Sequence, residues 1–331
     1  MQILIFSTVF YPLRGGIENL TLNLCTEFIE KGHQVKVITY QKQVEPLKDI
    51  EVYYAPGFKK MLQLFLWCQV YYMPNISLKG VWPLLLDPSK RWIISQNDFS
   101  LTNKTNPLSL LKLFLIKFSY KNISVSKSIA TSIRTKSEII YNCYDDAVFT
   151  LKNTGERKLN FVFIGRLVSQ KGCDTLIKAC ANLQQPFTLT IVGDGPELAS
   201  LQNLANELQL EDYINFTGTK NSFEIAEILN RHQVLVIPSN GKEGFGIVAL
   251  EGLACGCRII ATNSGGLAET VGSFGKLFEP GNVQQLNLLL KEELNHIDQP
   301  VYRPEELAAY LSNYKKAVVA QKYLSIFGSA A

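Results

Sequence analysis

Histidine is scarce: only His33, His232 and His296 occur in 331 residues, and none stands near a cysteine. The seven cysteines, an odd number, run from Cys25 to Cys257 without a Cys-x-x-Cys pair. These absences argue against a zinc site or a disulfide framework and point to a reducing cytoplasm. Strong charge is missing as well. With 33 basic and 29 acidic residues the net charge is +4, too mild to imply nucleic acid as a partner. No apolar run approaches the roughly 18 residues of a spanning helix. The chain opens directly on Ile3-Leu4-Ile5-Phe6, with no charged segment before it, so neither a secretory leader nor a membrane span is expected.

What is present is a globular chain, 47% hydrophobic and 19% charged, long enough for two domains with their own cores. Gln2–Thr8 reads as a strand, residues 11–16 as a glycine-bearing loop, Ile17–Lys31 as a helix and Val35–Tyr40 as a second strand. This is a βαβ unit with a right-handed crossover. A second series starts near residue 159. Strands at 160–164, 187–192, 213–217, 234–238 and 258–261 alternate with helices at 172–183, 196–208, 223–230 and 246–255. Such alternation means α/β, doubly wound parallel sheets. The polar stretch 145–158 is the expected linker. A single long helix is expected from Glu305 to about Ile326, with Pro304 at its start.

Chemistry concentrates in residues 238–251, Pro-Ser-Asn-Gly-Lys-Glu-Gly-Phe-Gly-Ile-Val-Ala-Leu-Glu. A strand ends at Pro238 and a glycine loop opens a helix near Gly246. Amides at such a start, with the positive end of the helix dipole, can hold a phosphate. Glu243 and Glu251 straddle that anion site. Carboxylates are poor phosphate ligands but good acceptors for sugar hydroxyls. By itself, Glu-x7-Glu reads more simply as a solvated loop acid and a helix-surface acid. The Gly-Phe-Gly insert, the preceding Pro-Ser and the following Ala254-Cys255-Gly256 favour the site.

Residues 243–256 resemble the signature of the family 4 glycosyltransferases, retaining enzymes of GT-B fold. Other stretches are similar in the same order: Gly15-Gly16-Ile17-Glu18, Phe163-Ile164-Gly165-Arg166-Leu167 with Lys171-Gly172, residues 191–197, and Asn263-Ser264-Gly265-Gly266 with Glu269. The likeness is nearly continuous over 159–282 and thin over 41–125. It implies two facing Rossmann-like domains with a cleft between them. Residues 1–150 would form the acceptor side, completed by a C-terminal helix 304–327, and 151–303 would bind the nucleotide-sugar donor. By the same resemblance Glu243 faces the donor sugar, Glu251 holds the ribose, and Arg166 and Lys171 neutralise the leaving diphosphate. Phe245, Gly246, Ile247 and Val248 form the anion-binding start, and Gly15 and Gly16 approach the diphosphate from the first domain. The donor is a substrate, no cofactor is implied, and the absence of Asp-x-Asp disfavours a metal-bridged diphosphate. The expected reaction is transfer from a UDP-sugar, rather than a GDP-sugar, to a glycan or glycolipid of a bacterial surface polysaccharide.

One departure concerns the histidine that many relatives place beside the donor sugar. The matching strand ends, 70–74 and 93–98, contain none, leaving Asn97 or Asp98 to supply that hydrogen bond. His33 and His232 read as structural. Segments 58–72 and 108–121 mix basic, aromatic and apolar residues, and residues 101–137 carry seven cations without an acid. They read either as core helices with snorkelling lysines or as a peripheral contact with an anionic inner membrane. Three rival functions stay open. A dinucleotide-dependent dehydrogenase is disfavoured because the first loop lacks Gly-x-Gly-x-x-Gly and the second strand ends Thr39-Tyr40-Gln41 without an acid. Another GT-B enzyme, such as a sugar phosphorylase or epimerase, and a catalytically weak sugar-nucleotide-binding subunit of a glycan assembly complex remain.

Overall fold

The structure is a computed structural model, and it describes residues 1–11, 15–41, 47, 49–102, 105–152, 157–295 and 302–328. Lys104, His296 and residues 12–14 and 153–156 of the expected loop and linker lie outside the described residues. The chain divides into two compact units, Met1–Cys143 with Tyr314–Ala331, and Tyr144–Asn313.

The first unit runs β1 (Gln2–Phe6), α1 (Gly16–Glu30), β2 (Gln34–Thr39), β3 (Glu51–Tyr54), α2 (Phe58–Trp67), β4 (Val70–Pro74), α3 (Leu78–Val81), β5 (Arg91–Gln96), α4 (Pro107–Ile116), β6 (Lys121–Ser124), α5 (Lys127–Ile133) and β7 (Glu138–Ile139). Its seven strands are all parallel, in the order β3-β2-β1-β4-β5-β6-β7. Ile3, Ile5, Val37, Val70 and Ile93 are buried because helices cover both faces of such a sheet. The C-terminal helix Lys316–Gly328 joins this core, with the Phe327 ring 5.5 Å from Phe28 and Tyr323 5.6 Å from Tyr72. Each large apolar side chain buried here contributes about 1.5–3 kcal/mol relative to exposure.

The second unit follows as β8 (Leu159–Ile164), α6 (Cys173–Cys180), β9 (Leu189–Val192), α7 (Leu198–Glu207), β10 (Ile214–Phe216), α8 (Ser222–Arg231), β11 (His232–Ile237), α9 (Ile247–Ala254), β12 (Arg258–Thr262), α10 (Gly265–Val271), β13 (Lys276–Phe278), α11 (Val283–Asn295) and α12 (Pro304–Ser312). Six parallel strands lie in the order β10-β9-β8-β11-β12-β13. The start of α8 follows local capping chemistry: Asn221 and Glu224 form a reciprocal capping box. The fold class is therefore α/β with two doubly wound parallel sheets.

Two boundaries differ from the sequence reading. The units part at Cys143/Tyr144 rather than 150/151. Asn230 ties the intervening strand of chain to the second unit, donating to Thr150 O at 3.0 Å and accepting from Lys152 N at 2.7 Å. The expected long C-terminal helix is two helices, and only the second belongs to the first unit. Tyr310 anchors α12 in the second unit through a 2.6 Å bond to Thr270 O and a ring 4.7 Å from Phe274. Asn313 closes α12 by donating to Ala309 O and Tyr310 O, and Tyr314 then packs on Tyr141. Segment 58–72 is largely core: Met61, Leu64 and Phe65 of α2 and all of β4 are buried, leaving Phe58 and Leu66 exposed.

Candidate active site

In an open parallel sheet, ligands bind beyond the carboxyl ends of two adjacent strands whose connections leave in opposite directions. In the second unit those strands are β8 and β11, since β8 leads to β9 on one side and β11 to β12 on the other. The loop after β8 carries Arg166 and Lys171; the loop after β11 carries Glu243. Lys171 Nζ lies 2.5 Å from Glu243 Oε1, and the hydroxyl of buried Ser239 donates to the same oxygen at 2.6 Å. Glu243 is thereby held in one orientation by a cation and a hydroxyl. Arg166 is exposed and, among the described residues, has no carboxylate partner.

The loops are locked by main-chain contacts, one of which only glycine permits. Gly172 has φ +67°, and a Cβ there would strike the Pro238 carbonyl. Gly241 N donates to Gln170 O at 3.0 Å, and Gly266 N to Glu243 O at 2.8 Å, joining the loops after β8, β11 and β12. Gly246 caps α9 in the left-handed region, φ +90°. Helix starts leave their first amides without intrahelical carbonyls, so Gly246, Ile247 and Val248 can present N–H groups beside the Lys171–Glu243 pair. The Phe245 side chain is buried, and its carbonyl accepts from Thr270 Oγ1 at 2.6 Å.

Glu251 lies one to two turns into α9. Burial raises its carboxyl to about 7, and the negative charge of Asp145 adds to the rise. No hydrogen-bond donor reaches it among the described residues. Two groups were missed by the sequence reading: Ser239, quoted only as part of Pro-Ser, and Asp145, assigned to a linker. A serine at a strand end next to an acid-bearing loop was the available signal for the first. Nothing local marked the second, because Asp145 and Glu251 are far apart in the chain.

In the first unit the corresponding strands are β1 and β4. Gly15 caps α1 after β1, with extended backbone, and Asn19 N donates to its carbonyl at 3.1 Å. Beyond β4, Asn75 accepts from Asn97 N at 2.8 Å and donates to Asp98 Oδ2 at 2.8 Å. Asp98 also receives Ser100 N and so serves the turn. Asn97 is buried, donates to Ser95 Oγ at 2.9 Å and leaves its Oδ1 without a partner. Of the two candidates, Asn97 retains hydrogen-bonding capacity. His33 and His232 are structural: His33 meets the N-terminal ammonium, and His232 is held between Ile228 O and Thr190 Oγ1, with burial lowering its pKa to about 4. Among the described residues no cluster of His, Cys, Asp or Glu could hold a metal, and no helix is long and apolar enough to cross a membrane.

Residues 149–317, which include Arg166, Lys171, Ser239, Glu243 and Glu251, match the family model of the glycosyl transferases group 1. The chain belongs to this family. An uncharacterized glycosyltransferase of Methanocaldococcus jannaschii is 27% identical over 315 residues, covering 87% of either chain. Among solved structures, Anabaena HepE in complex with UDP and glucose superposes with a TM-score of 0.84 at 18% identity, covering 99% of this chain and 100% of that one. WaaG, a glycosyltransferase involved in lipopolysaccharide biosynthesis, superposes with a TM-score of 0.74 at 17% identity, covering 99% and 100%. At such identities the likeness establishes the GT-B fold of this glycosyltransferase.

Proposed function

We propose that this glycosyltransferase moves a hexosyl or N-acetylhexosaminyl group, with retention, from a nucleoside diphosphate sugar to a glycan or glycolipid of a bacterial surface polysaccharide. UDP is favoured over GDP as the carrier. The observation that carries the reading is the Lys171–Glu243 pair beside the start of α9, at the switch point between β8 and β11. Breaking the bond to the diphosphate builds negative charge on the leaving oxygen. Lys171, Arg166 and the amides of Gly246, Ile247 and Val248 stabilise charge where it develops. When the diphosphate draws Lys171, Glu243 is free to accept the hydroxyls of the sugar while Ser239 keeps it aimed. Glu251 accepts the ribose hydroxyls. These cations supply the positive charge, so the reaction runs without a metal. The leaving phosphate takes the acceptor's proton on the front face, which accounts for retention without a protein nucleophile.

The first unit supplies the acceptor side, and from its own switch point Gly15 and Gly16 approach the diphosphate and Asn97 the donor sugar. The complexes of HepE with UDP and glucose support the choice of base, and the role of WaaG supports a surface glycan as product. The exposed face of α4 within 108–121 fits peripheral attachment to the cytoplasmic face of an inner membrane. A thermal-shift screen with UDP, GDP, ADP and dTDP tests the reading, since a ligand adds RT ln(1 + [L]/Kd) to stability. UDP should raise Tm most, and the matching UDP-sugar should turn over. Stabilisation by none of the four contradicts the proposal. Tight binding without transfer to any acceptor favours the binding-subunit alternative.

A further inference from the structure

A cavity of about 520 Å³ opens at the amino-terminal edge of the first sheet, where the chain enters β6 and β7. It lies at the edge opposite the carboxyl ends that carry Gly15, Gly16 and Asn97, and so is not part of the proposed acceptor side. Four cations line it, Lys117, Lys121, Arg134 and Lys136, against one acid, Glu138. Lys121 is paired with Glu138 at 2.7 Å. Among the described residues the other three cations have no carboxylate partner. Asn122 and Thr135 also line it, and each has a side-chain oxygen that is buried without a hydrogen-bond partner. Arg134 ends α5 at φ +56°, a left-handed conformation that a residue with a Cβ adopts at a cost. Such local strain is commonly kept where it positions a ligand-binding group.

The cavity adjoins α4 directly, because Lys117 and Ser119 in its wall flank Phe118. Along α4 and its C-terminal turn, Leu108, Leu111, Phe114 and Phe118 recur at helical spacing and are 58%, 45%, 54% and 65% exposed. The two phenyl rings meet edge-on at 5.1 Å. Four large apolar side chains facing solvent beside three unpaired cations match an amphiphile that is anionic at one end and hydrocarbon at the other.

We infer that the cavity binds the phosphate headgroup of an anionic lipid within a bilayer, while the α4 stripe enters the acyl boundary. Lys117, Arg134 and Lys136 meet the phosphate. The inference rests on the membrane attachment proposed above and is independent of the sugar-transfer chemistry.

Flotation of the full chain with vesicles at low salt tests it. The protein should float with phosphatidylcholine–phosphatidylglycerol vesicles and not with phosphatidylcholine alone. Lys117→Gln and Lys136→Gln should each weaken binding about fivefold, the effect of one cation at an anionic surface. Phe114→Ser with Phe118→Ser should weaken it independently. All four residues are exposed or half-exposed, and retention of the UDP-induced thermal shift checks that each variant is folded. The inference is overturned if the wild type stays unbound, if the lysine variants float as well as wild type, or if the phenylalanine pair is neutral while soluble glycerol phosphate strips the protein from vesicles, which assigns a free phosphate ester. Flotation without any UDP-induced shift leaves the docking intact and removes the sugar-transfer reading.

Discussion

Lys171 and Glu243, 72 residues apart in the chain, meet at 2.5 Å across the loops that follow two neighbouring strands. The pair joins a cation suited to the diphosphate with an acid suited to the sugar. Each member alone should therefore matter to turnover. Lys171→Ala and Glu243→Ala should each lower kcat/KM about 10²–10³-fold, the size of effect seen when one transition-state partner is removed. The double variant should lose less than the product of the two, because neighbouring groups that act together are not additive. Steady-state kinetics of the four proteins checks this.

Glu251 should make stability and nucleotide binding depend on pH. Its folded pKa, about 7, stands above the ordinary 4.5. A raised carboxyl favours the protonated folded state, so its stabilising effect is complete below about pH 4.5 and is lost as pH rises through about 7. Glu251→Gln should therefore match wild type in acid and exceed its Tm above pH 7. Ribose hydroxyls donate to the ionised acid, so UDP affinity should improve as pH rises through about 7 in wild type and not in Glu251→Gln. Thermal melts and calorimetric titrations across this range decide it.

Two glycines with nearly the same backbone separate conformation from contact. Gly172 has φ +67° and faces the Pro238 carbonyl, whereas Gly218 has φ +69° and open space. Gly218→Ala should cost about 1–2 kcal/mol for the left-handed conformation alone. Gly172→Ala adds a collision with rigid backbone, and should cost more and lower turnover by moving Lys171. Chemical denaturation of both variants, with kinetics, tests the contrast.

The second half of the chain was legible because strands buried on both faces read as short β-branched runs bounded by glycines, as in Leu189–Val192 and Arg258–Thr262. The glycines around Glu243 marked a tight entry into a helix, for the same steric reason that the structure shows at Gly246. The first half was harder. Val70–Pro74 is aromatic-rich, and segment 58–72 shares the basic–apolar composition of α4 while packing inward. Which of two such segments faces solvent is decided by tertiary packing, as Met61 and Phe65 show. The break at Asn313 was invisible because neither glycine nor proline marks it; Tyr310 and Tyr314 are simply anchored in different units. The Lys171–Glu243 contact was hidden by sequence distance.

All seven cysteines are buried thiols, and burial pushes those of Cys68, Cys255 and Cys257 up to about 12. Thiolates are the reactive species. A chromogenic disulfide reagent should find essentially no reactive thiol in the native protein and all seven after denaturation. Rapid native labelling contradicts the packing described for both units.

Chelation should leave catalysis intact. The positive charge at the diphosphate comes from Lys171 and Arg166 in this account, so EDTA should change kcat less than twofold, within the error of such comparisons, whereas Arg166→Ala should lower it at least tenfold, about 1.4 kcal/mol. A chelator-sensitive rate restored by a divalent cation contradicts the metal-free reading.

The most direct measurement is a crystal structure of the protein with its UDP-sugar bound. The account predicts the diphosphate at the amides of Gly246, Ile247 and Val248, with Lys171 turned from Glu243 toward it, the sugar hydroxyls on Glu243 and the ribose on Glu251. A nucleotide bound elsewhere, or a diphosphate that leaves the Lys171–Glu243 pair and the α9 start untouched, contradicts it.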